Sequence, residues 1–129
     1  MKRQILIDTD ILIYISREIQ LARDRLKMEI ETSILTISVV TKMELIIGCR
    51  NKNELQKLES FLSKYILIDL DKNISQKTLE LLGKYRLSHG LLIPDALIAS
   101  TAIINNFPLL TKNQSDYRFI PELELMSYP

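Results

Sequence analysis

The chain has 129 residues, 47% of them hydrophobic and 26% charged, with a formal net charge of +1. That balance lies far from the composition of disordered chains, and a charge near zero supplies no overall field for nucleic acid, so only a local basic surface could meet one. The single cysteine, Cys49, excludes a disulfide framework and a cysteine zinc site and suits a reduced, cytoplasmic setting.

The length suits one domain, residues 1–129, built on a single core. Met1-Lys2-Arg3 before an apolar run has the outline of a secretion signal. Asp8 and Asp10 interrupt that run, however, and no small-residue cleavage site follows. No apolar stretch reaches the length of a membrane span, so no membrane association is expected.

Ile5-Leu6-Ile7 runs straight into Asp8-Thr9-Asp10. A short continuous apolar run of this kind predicts a buried strand ending at Asp8. Thr9 or Asp10 is expected to cap a helix that starts at Ile11 and reaches about Arg17. Ligands of open α/β sheets bind beyond the carboxyl ends of the strands, which makes Asp8 the reference point for a site.

A second helix is expected over 19–30, where Arg23, Asp24, Arg25, Lys27 and Glu29 read as a solvated face or, alternatively, as a basic flank for a phosphate backbone. Residues 33–37 are β-branched and short, as a strand requires. Ser38 should cap the helix that follows, with Gly48 or Asn51 suiting its C-terminal end. On that helix Glu44 shares a face with Val40 and Ile47. A carboxylate there is costly unless paired or bound to metal; the alternative is an edge position where it snorkels or pairs with a lysine.

A helix over 53–65 and a strand over 65–68 come next. Asp71 then opens a long helix to about Ser88, with Ile74, Leu79, Leu81, Leu82 and Leu87 as its apolar positions and His89-Gly90 at its end. His89, the lone histidine, reads as a surface residue. Pro94 suits the start of a helix that is apolar nearly all round and therefore buried. Asp95 in its first turn either complements the helix dipole or stays ionised and faces a site. Leu109-Leu110-Thr111 forms a short strand whose end delivers Lys112, Asn113 and Asp116. The alternating segment 122–126 reads as a half-exposed final strand at a sheet edge.

Helices alternating with short strands predict an α/β fold with a mainly parallel sheet. In such a sheet Asp8, Glu44, Asp95 and Asp116 can meet at one edge. In this order and at this chain length, Ile7-Asp8-Thr9-Asp10, Thr41-Lys42-Met43-Glu44-Leu45, Pro94-Asp95-Ala96-Leu97-Ile98-Ala99 and Thr111-Lys112-Asn113-Gln114-Ser115-Asp116-Tyr117 form a specific set. On these residues the chain resembles the PIN-domain ribonucleases, most closely the toxin half of VapBC-type toxin–antitoxin pairs.

The resemblance implies a three-layer sandwich with helices on both sides of the short sheet. It implies that Asp8, Glu44, Asp95 and Asp116 are catalytic and bind Mg²⁺ or Mn²⁺, hard ions that prefer oxygen ligands. Thr9, Thr111 and Asn113 would support those carboxylates by hydrogen bonds. It also implies hydrolysis of structured RNA such as transfer or ribosomal RNA to a 5′-phosphate and a 3′-hydroxyl, homodimerisation, and a cognate antitoxin that wraps the active-site groove and inserts a basic side chain. Lys42, Lys112 and Arg118, beside the motifs, are candidate contacts to the RNA backbone. Three departures from the family pattern leave every carboxylate in place: Asp10 stands where Asn or Ser is frequent, Tyr117 where Phe is common, and Ile93-Pro94 precede Asp95.

Two other readings compete. Asp8-Thr9-Asp10 has the Asp-x-Asp start of haloacid-dehalogenase-type phosphatases, but Leu12 stands where that pattern wants Thr or Val, and the chain is short for that fold and its cap. A non-catalytic PIN-like module that binds RNA or protein would be expected to have lost acids, and all four are present.

Overall fold

The apolar run at the N-terminus forms β1 (Arg3–Ile7) in a computed structural model that describes residues 2–129. After it come α1 (Thr9–Ser16), α2 (Gln20–Thr32), β2 (Ser33–Ser38), α3 (Val39–Ile47), α4 (Lys52–Leu62) and β3 (Ile66–Ile68). The chain continues through α5 (Lys72–His89), α6 (Ile93–Asn105), β4 (Leu109–Leu110) and a 3-10 turn at Gln114–Asp116. Among the described residues the strands make one four-stranded sheet in the order β3-β2-β1-β4, and every pairing is parallel.

β1 is central, and its side chains alternate between two cores as strand geometry demands. Leu6 joins Val40, Leu81, Ile98, Ala99 and Ala102 on the side of α5 and α6. Ile5 and Ile7 join Ile11, Leu26, Leu35 and Leu62 on the side of α1, α2 and α4. The sheet is thus the middle of three layers, as the resemblance implies. Helix α6 is the most apolar partner: Ala96, Ala99 and Ala102 are fully buried, and their small side chains bring its backbone close against its neighbours.

Several ends are set by single side chains. Ser38 accepts from the Val40 amide at 3.0 Å, and Asp71 accepts from the Ile74 amide at 2.8 Å. Gly90 closes α5 at φ 70 and Asn106 closes α6 at φ 57, both in the left-handed region. Glycine enters that region freely and asparagine tolerates it.

Other expectations are corrected. Asp8, not Thr9 or Asp10, caps α1: its carboxylate accepts from the Thr9 amide, so the helix starts two residues early. Asn51 does not end α3 but caps α4, accepting from the Glu54 amide at 2.9 Å. The segment 122–126 is not a strand. β4 is only two residues long, and on its outer edge Leu109 meets Leu125 in one isolated parallel bridge. On α5, Leu79 and Leu87 point outward, 73% and 100% exposed, while Ile74 and Leu81 carry the buried face. Among the described residues no helix is long and apolar enough to cross a membrane.

Candidate active site

Parallel strands put their carboxyl ends on one edge, and four chain segments converge there. Asp8 leaves the end of β1 with 6% of its surface exposed. One carboxylate oxygen, Oδ1, accepts from the Thr9 amide at 2.8 Å, and the other, Oδ2, from the Thr111 hydroxyl at 2.8 Å. Thr111 is the first residue after β4, the strand beside β1, so the pairing of the two strands fixes this contact.

Glu44, from the middle of α3, accepts from the Thr9 hydroxyl at 2.8 Å; the Thr9 and buried Thr41 hydroxyls share a further hydrogen bond at 3.0 Å. Its expected apolar face does not exist as such. Val40 is buried but Ile47 is 83% exposed, and Glu44 sits at the boundary between them, tied to Thr9 rather than to a lysine. Asp95 lies in the first turn of α6. It accepts from the hydroxyl of Tyr117, a fully buried residue, at 3.2 Å. Asp116 ends the 3-10 turn and is exposed.

Electrostatics show that these acids share one region. Burial, then the charge of Asp10, pushes the Asp8 carboxyl up to about 7 against the pull of its hydrogen bonds from Thr111 and Thr9 and of the nearby Tyr117 hydroxyl. Asp95 is raised by burial first and then by the charges of Asp116, Glu44 and Asp10. Among the described residues no Lys or Arg forms a salt bridge with Asp8, Glu44, Asp95 or Asp116. Buried carboxylates left without a counter-charge hold protons more tightly than usual, and perturbation of this kind concentrates at functional sites.

Two residues matter more than their sequence context indicated. Asp10 Oδ2 accepts from the Lys112 and Asn113 amides, each at 3.0 Å, and at 3.1 Å shares with Asp8 the single proton of the Thr111 hydroxyl. It therefore clamps the loop after β4 onto the first turn of α1. Its other oxygen, Oδ1, is buried with no partner among the described residues. Asn113 takes part through its backbone amide, not its side chain, and its partners are Asp10 and the Thr111 hydroxyl. Tyr117 touches Asp95 and lies near enough to Asp8 that burial and both carboxylates raise its own ionisation. No sequence signal marked Asp10 as a clamp, because its partners are more than a hundred residues away. The Tyr117 hydroxyl was visible only as a departure from a common Phe.

The basic candidates divide. Lys42 is engaged by Glu59 at 3.0 Å. The Lys112 ammonium sits over the Tyr14 ring, 4.8 Å from its centre, and Arg118 is exposed. His89 is exposed, with its ring stacked on Phe119 at 4.2 Å.

The donors at this edge are all oxygens, which suits a hard divalent cation and not a soft one. Among the described residues no three Asp, Glu, His or Cys side chains are arranged around a common ion position. Mg²⁺ is usually held by one or two carboxylates while keeping several waters, so a site for it does not require three protein ligands around one position.

The profile of the family described as PIN domain matches residues 5–119. Ribonuclease VapC1 of Methanocaldococcus jannaschii is 31% identical over 126 residues, with 84% of this chain and 92% of the relative covered. Ribonuclease VapC10 of Mycobacterium tuberculosis is also 31% identical, over 121 residues that cover 93% of this chain and 90% of that protein. Among solved structures, VapBC2 from Rickettsia felis bound to a DNA fragment from its promoter superposes with a TM-score of 0.83 at 28% identity, covering 98% of this chain and 99% of that one. A toxin–antitoxin complex from Klebsiella pneumoniae gives 0.79 at 28% identity, covering 92% and 94%.

Proposed function

This chain belongs to the PIN domain family, and from that premise we propose that it is an endoribonuclease toxin which hydrolyses RNA phosphodiester bonds with Mg²⁺ or Mn²⁺ and is neutralised by a cognate antitoxin. The observation that carries the reading is the uncompensated acidic edge: Asp8 is buried and Asp95 half-buried, among the described residues neither has a salt bridge to a Lys or Arg, and burial raises both carboxyls. An edge built this way is relieved by a bound cation.

Asp8 and Asp95 are the residues that would hold the ion, Asp8 with both oxygens already oriented by Thr9 and Thr111. The ion supplies charge stabilisation for the phosphoryl group and a more acidic water. Glu44, fixed through Oε1 by Thr9, keeps Oε2 to orient the attacking water and accept its proton. Attack at phosphorus breaks the bond to the 3′ oxygen, which takes a proton from solvent, leaving a 3′-hydroxyl and a 5′-phosphate. Asp116, the outermost acid, would complete a weaker second position. Lys112 and Arg118, both exposed beside the acids in sequence, would meet the strand's phosphates, since phosphate contacts dominate affinity for nucleic acid. Structured RNA, a homodimeric state, a single domain over 1–129 and a cytoplasmic setting belong to the same reading.

The antitoxin has a surface to occupy. A groove of about 1140 Å³ runs between α1–α2 and α3–α4. Leu12, Leu26, Leu45, Leu58 and Phe61 line its floor, while Arg17, Arg23, Lys27, Arg50, Lys57 and Lys64 make its rim predominantly basic. This chemistry suits an amphipathic helix with acidic flanks. Glu44 lines the same groove, so a basic side chain carried by that segment could reach the acidic edge.

The test is cleavage of a small-RNA pool by purified protein with Mn²⁺, with Mg²⁺ and with EDTA, alongside Asp8→Asn and Asp95→Asn proteins prepared identically. Metal-dependent cleavage absent from both variants is the expected result. Cleavage that persists in either variant at the wild-type rate removes that residue from the mechanism. One observation favours the alternative of a non-catalytic module: no three carboxylates surround a common ion position among the described residues. A thermal melt that Mn²⁺ leaves unchanged would decide for that alternative.

A further inference from the structure

Asp8 and Asp95 are oriented in different ways. Asp8 has two donors from its own neighbourhood in the sheet. Asp95 sits on the first turn of α6, and among the described residues its carboxylate has one hydrogen-bond partner, the Tyr117 hydroxyl at 3.2 Å. The Tyr117 ring is fully buried, packed with Leu6, Ala96, Ala99 and Leu109 against the sheet. A tyrosine has only two side-chain torsions, and here packing fixes both, so its hydroxyl is a rigid donor at the inner wall of the acidic edge. Phenylalanine would fill the same space and leave Asp95 without that donor.

Building on the metal-dependent reading above, we propose that Tyr117 is a positioning residue of the metal site: its hydroxyl holds Asp95 Oδ1 against the interior and leaves Oδ2 to take the cation. Asp95 is then pre-oriented before the ion arrives, and the ordering cost of binding is lower. The hydroxyl does not touch the phosphate in this scheme. Its effect passes through Asp95.

The experiment is a thermal melt of the full chain across a Mn²⁺ titration, without RNA, for wild type, Tyr117→Phe, Asp95→Asn and the double variant. Tyr85→Phe serves as a control, because Tyr85 packs beside Phe119 and, among the described residues, its hydroxyl has no hydrogen bond to the acids. Loss of a supporting hydrogen bond typically weakens metal binding by about tenfold or more. Tyr117→Phe is therefore expected to raise the half-saturating Mn²⁺ concentration by roughly that factor, with its melting temperature in EDTA close to wild type and the Tyr85→Phe midpoint unmoved. In the Asp95→Asn background, where the amide cannot take the cation as the carboxylate does, the added Tyr117→Phe change should shift the midpoint by clearly less than it does in wild type. Cleavage by Tyr117→Phe should recover toward wild type at high Mn²⁺, separating a defect in loading from one in turnover.

An unchanged midpoint in Tyr117→Phe overturns the proposal while leaving the metal-dependent reading intact. So does an equal loss in the presence and absence of the Asp95 carboxylate. A wild-type protein that shows no Mn²⁺ response overturns both.

Discussion

Asp8 carries the largest consequence of any single residue. Its carboxyl has an ordinary value of 3.8 and is pushed up to about 7 in the fold, first by burial and then by Asp10. Unfolded, the same group ionises freely. Between pH 4 and 7 the folded protein therefore holds a proton that the unfolded chain has released. Stability of the metal-free protein is full below about pH 4, falls as pH rises toward 7, and is level above it. A shift of this size corresponds to at most about 4 kcal/mol, and Asp10 and Asp95, also raised, act in the same direction. Asp8→Asn removes the charge and keeps an acceptor oxygen. In EDTA it should be more stable than wild type at pH 8, with the advantage shrinking at pH 5. Urea unfolding at the two pH values checks this, and an advantage equal at both would show that ionisation of Asp8 is not its source. Added Mn²⁺ should raise the wild-type melting temperature more at pH 8 than at pH 5, because protons compete with the cation for the same oxygens.

At the scale of the element, the 3-10 turn and the loop before it depend on Asp10. One oxygen of that carboxylate receives two backbone amides and a hydroxyl. These bonds tie the connection after β4 to α1 and hold Thr111 against Asp8. Hydrogen bonds to charged groups contribute roughly 1.5–3 kcal/mol each before relaxation, and the loop can recover part of that through water. Asp10→Ala should cost about 2 kcal/mol in stability and lower cleavage by disordering Thr111. Asp10→Asn, which retains an acceptor oxygen, should cost clearly less. Equal losses in the two variants, read by chemical unfolding, would show that the clamp is not what Asp10 supplies. The sequence made much of the surrounding fold readable. β1 announced itself by its unbroken apolar run, and Ser38, Asp71 and Gly90 marked helix ends through local chemistry that acts within a few residues. Asp8 stood at the predicted strand end. Asp10 could not be read this way, since its partners at 111–113 are adjacent only after β1 and β4 pair. The alternation over 122–126 misled for a related reason: side-chain pattern says which faces are apolar, but the number of ladder bonds depends on the length of the neighbouring strand. Leu79 and Leu87 look like core residues by type, and only the placement of α5 shows them facing out.

The whole molecule separates two kinds of surface. The sheet edge is acidic, whereas the groove between α1–α2 and α3–α4 has an apolar floor and a rim rich in cations. Because Glu44 belongs to both, a partner seated in the groove lies beside the site without needing contacts to Asp8 or Asp95. Neutralisation and catalysis should therefore be separable by mutation. Arg23 and Lys57 are exposed rim residues away from the acids. Reversing both charges, Arg23→Glu with Lys57→Glu, should leave metal-dependent RNA cleavage by the free chain near the wild-type rate. The same change should weaken capture by a co-expressed acidic antitoxin by about tenfold or more, because like charges facing each other across an interface cost several kcal/mol. Most of that loss should appear at low salt and diminish as ionic strength rises, since exposed charges are screened over about 8 Å at physiological salt. Phe61→Ala, which empties part of the apolar floor, should weaken capture with little dependence on salt. Comparison of the two variants by co-purification at low and high salt distinguishes electrostatic recognition from burial. Loss of cleavage in the charge-reversed protein would instead mean that the groove rim also guides RNA to the acidic edge.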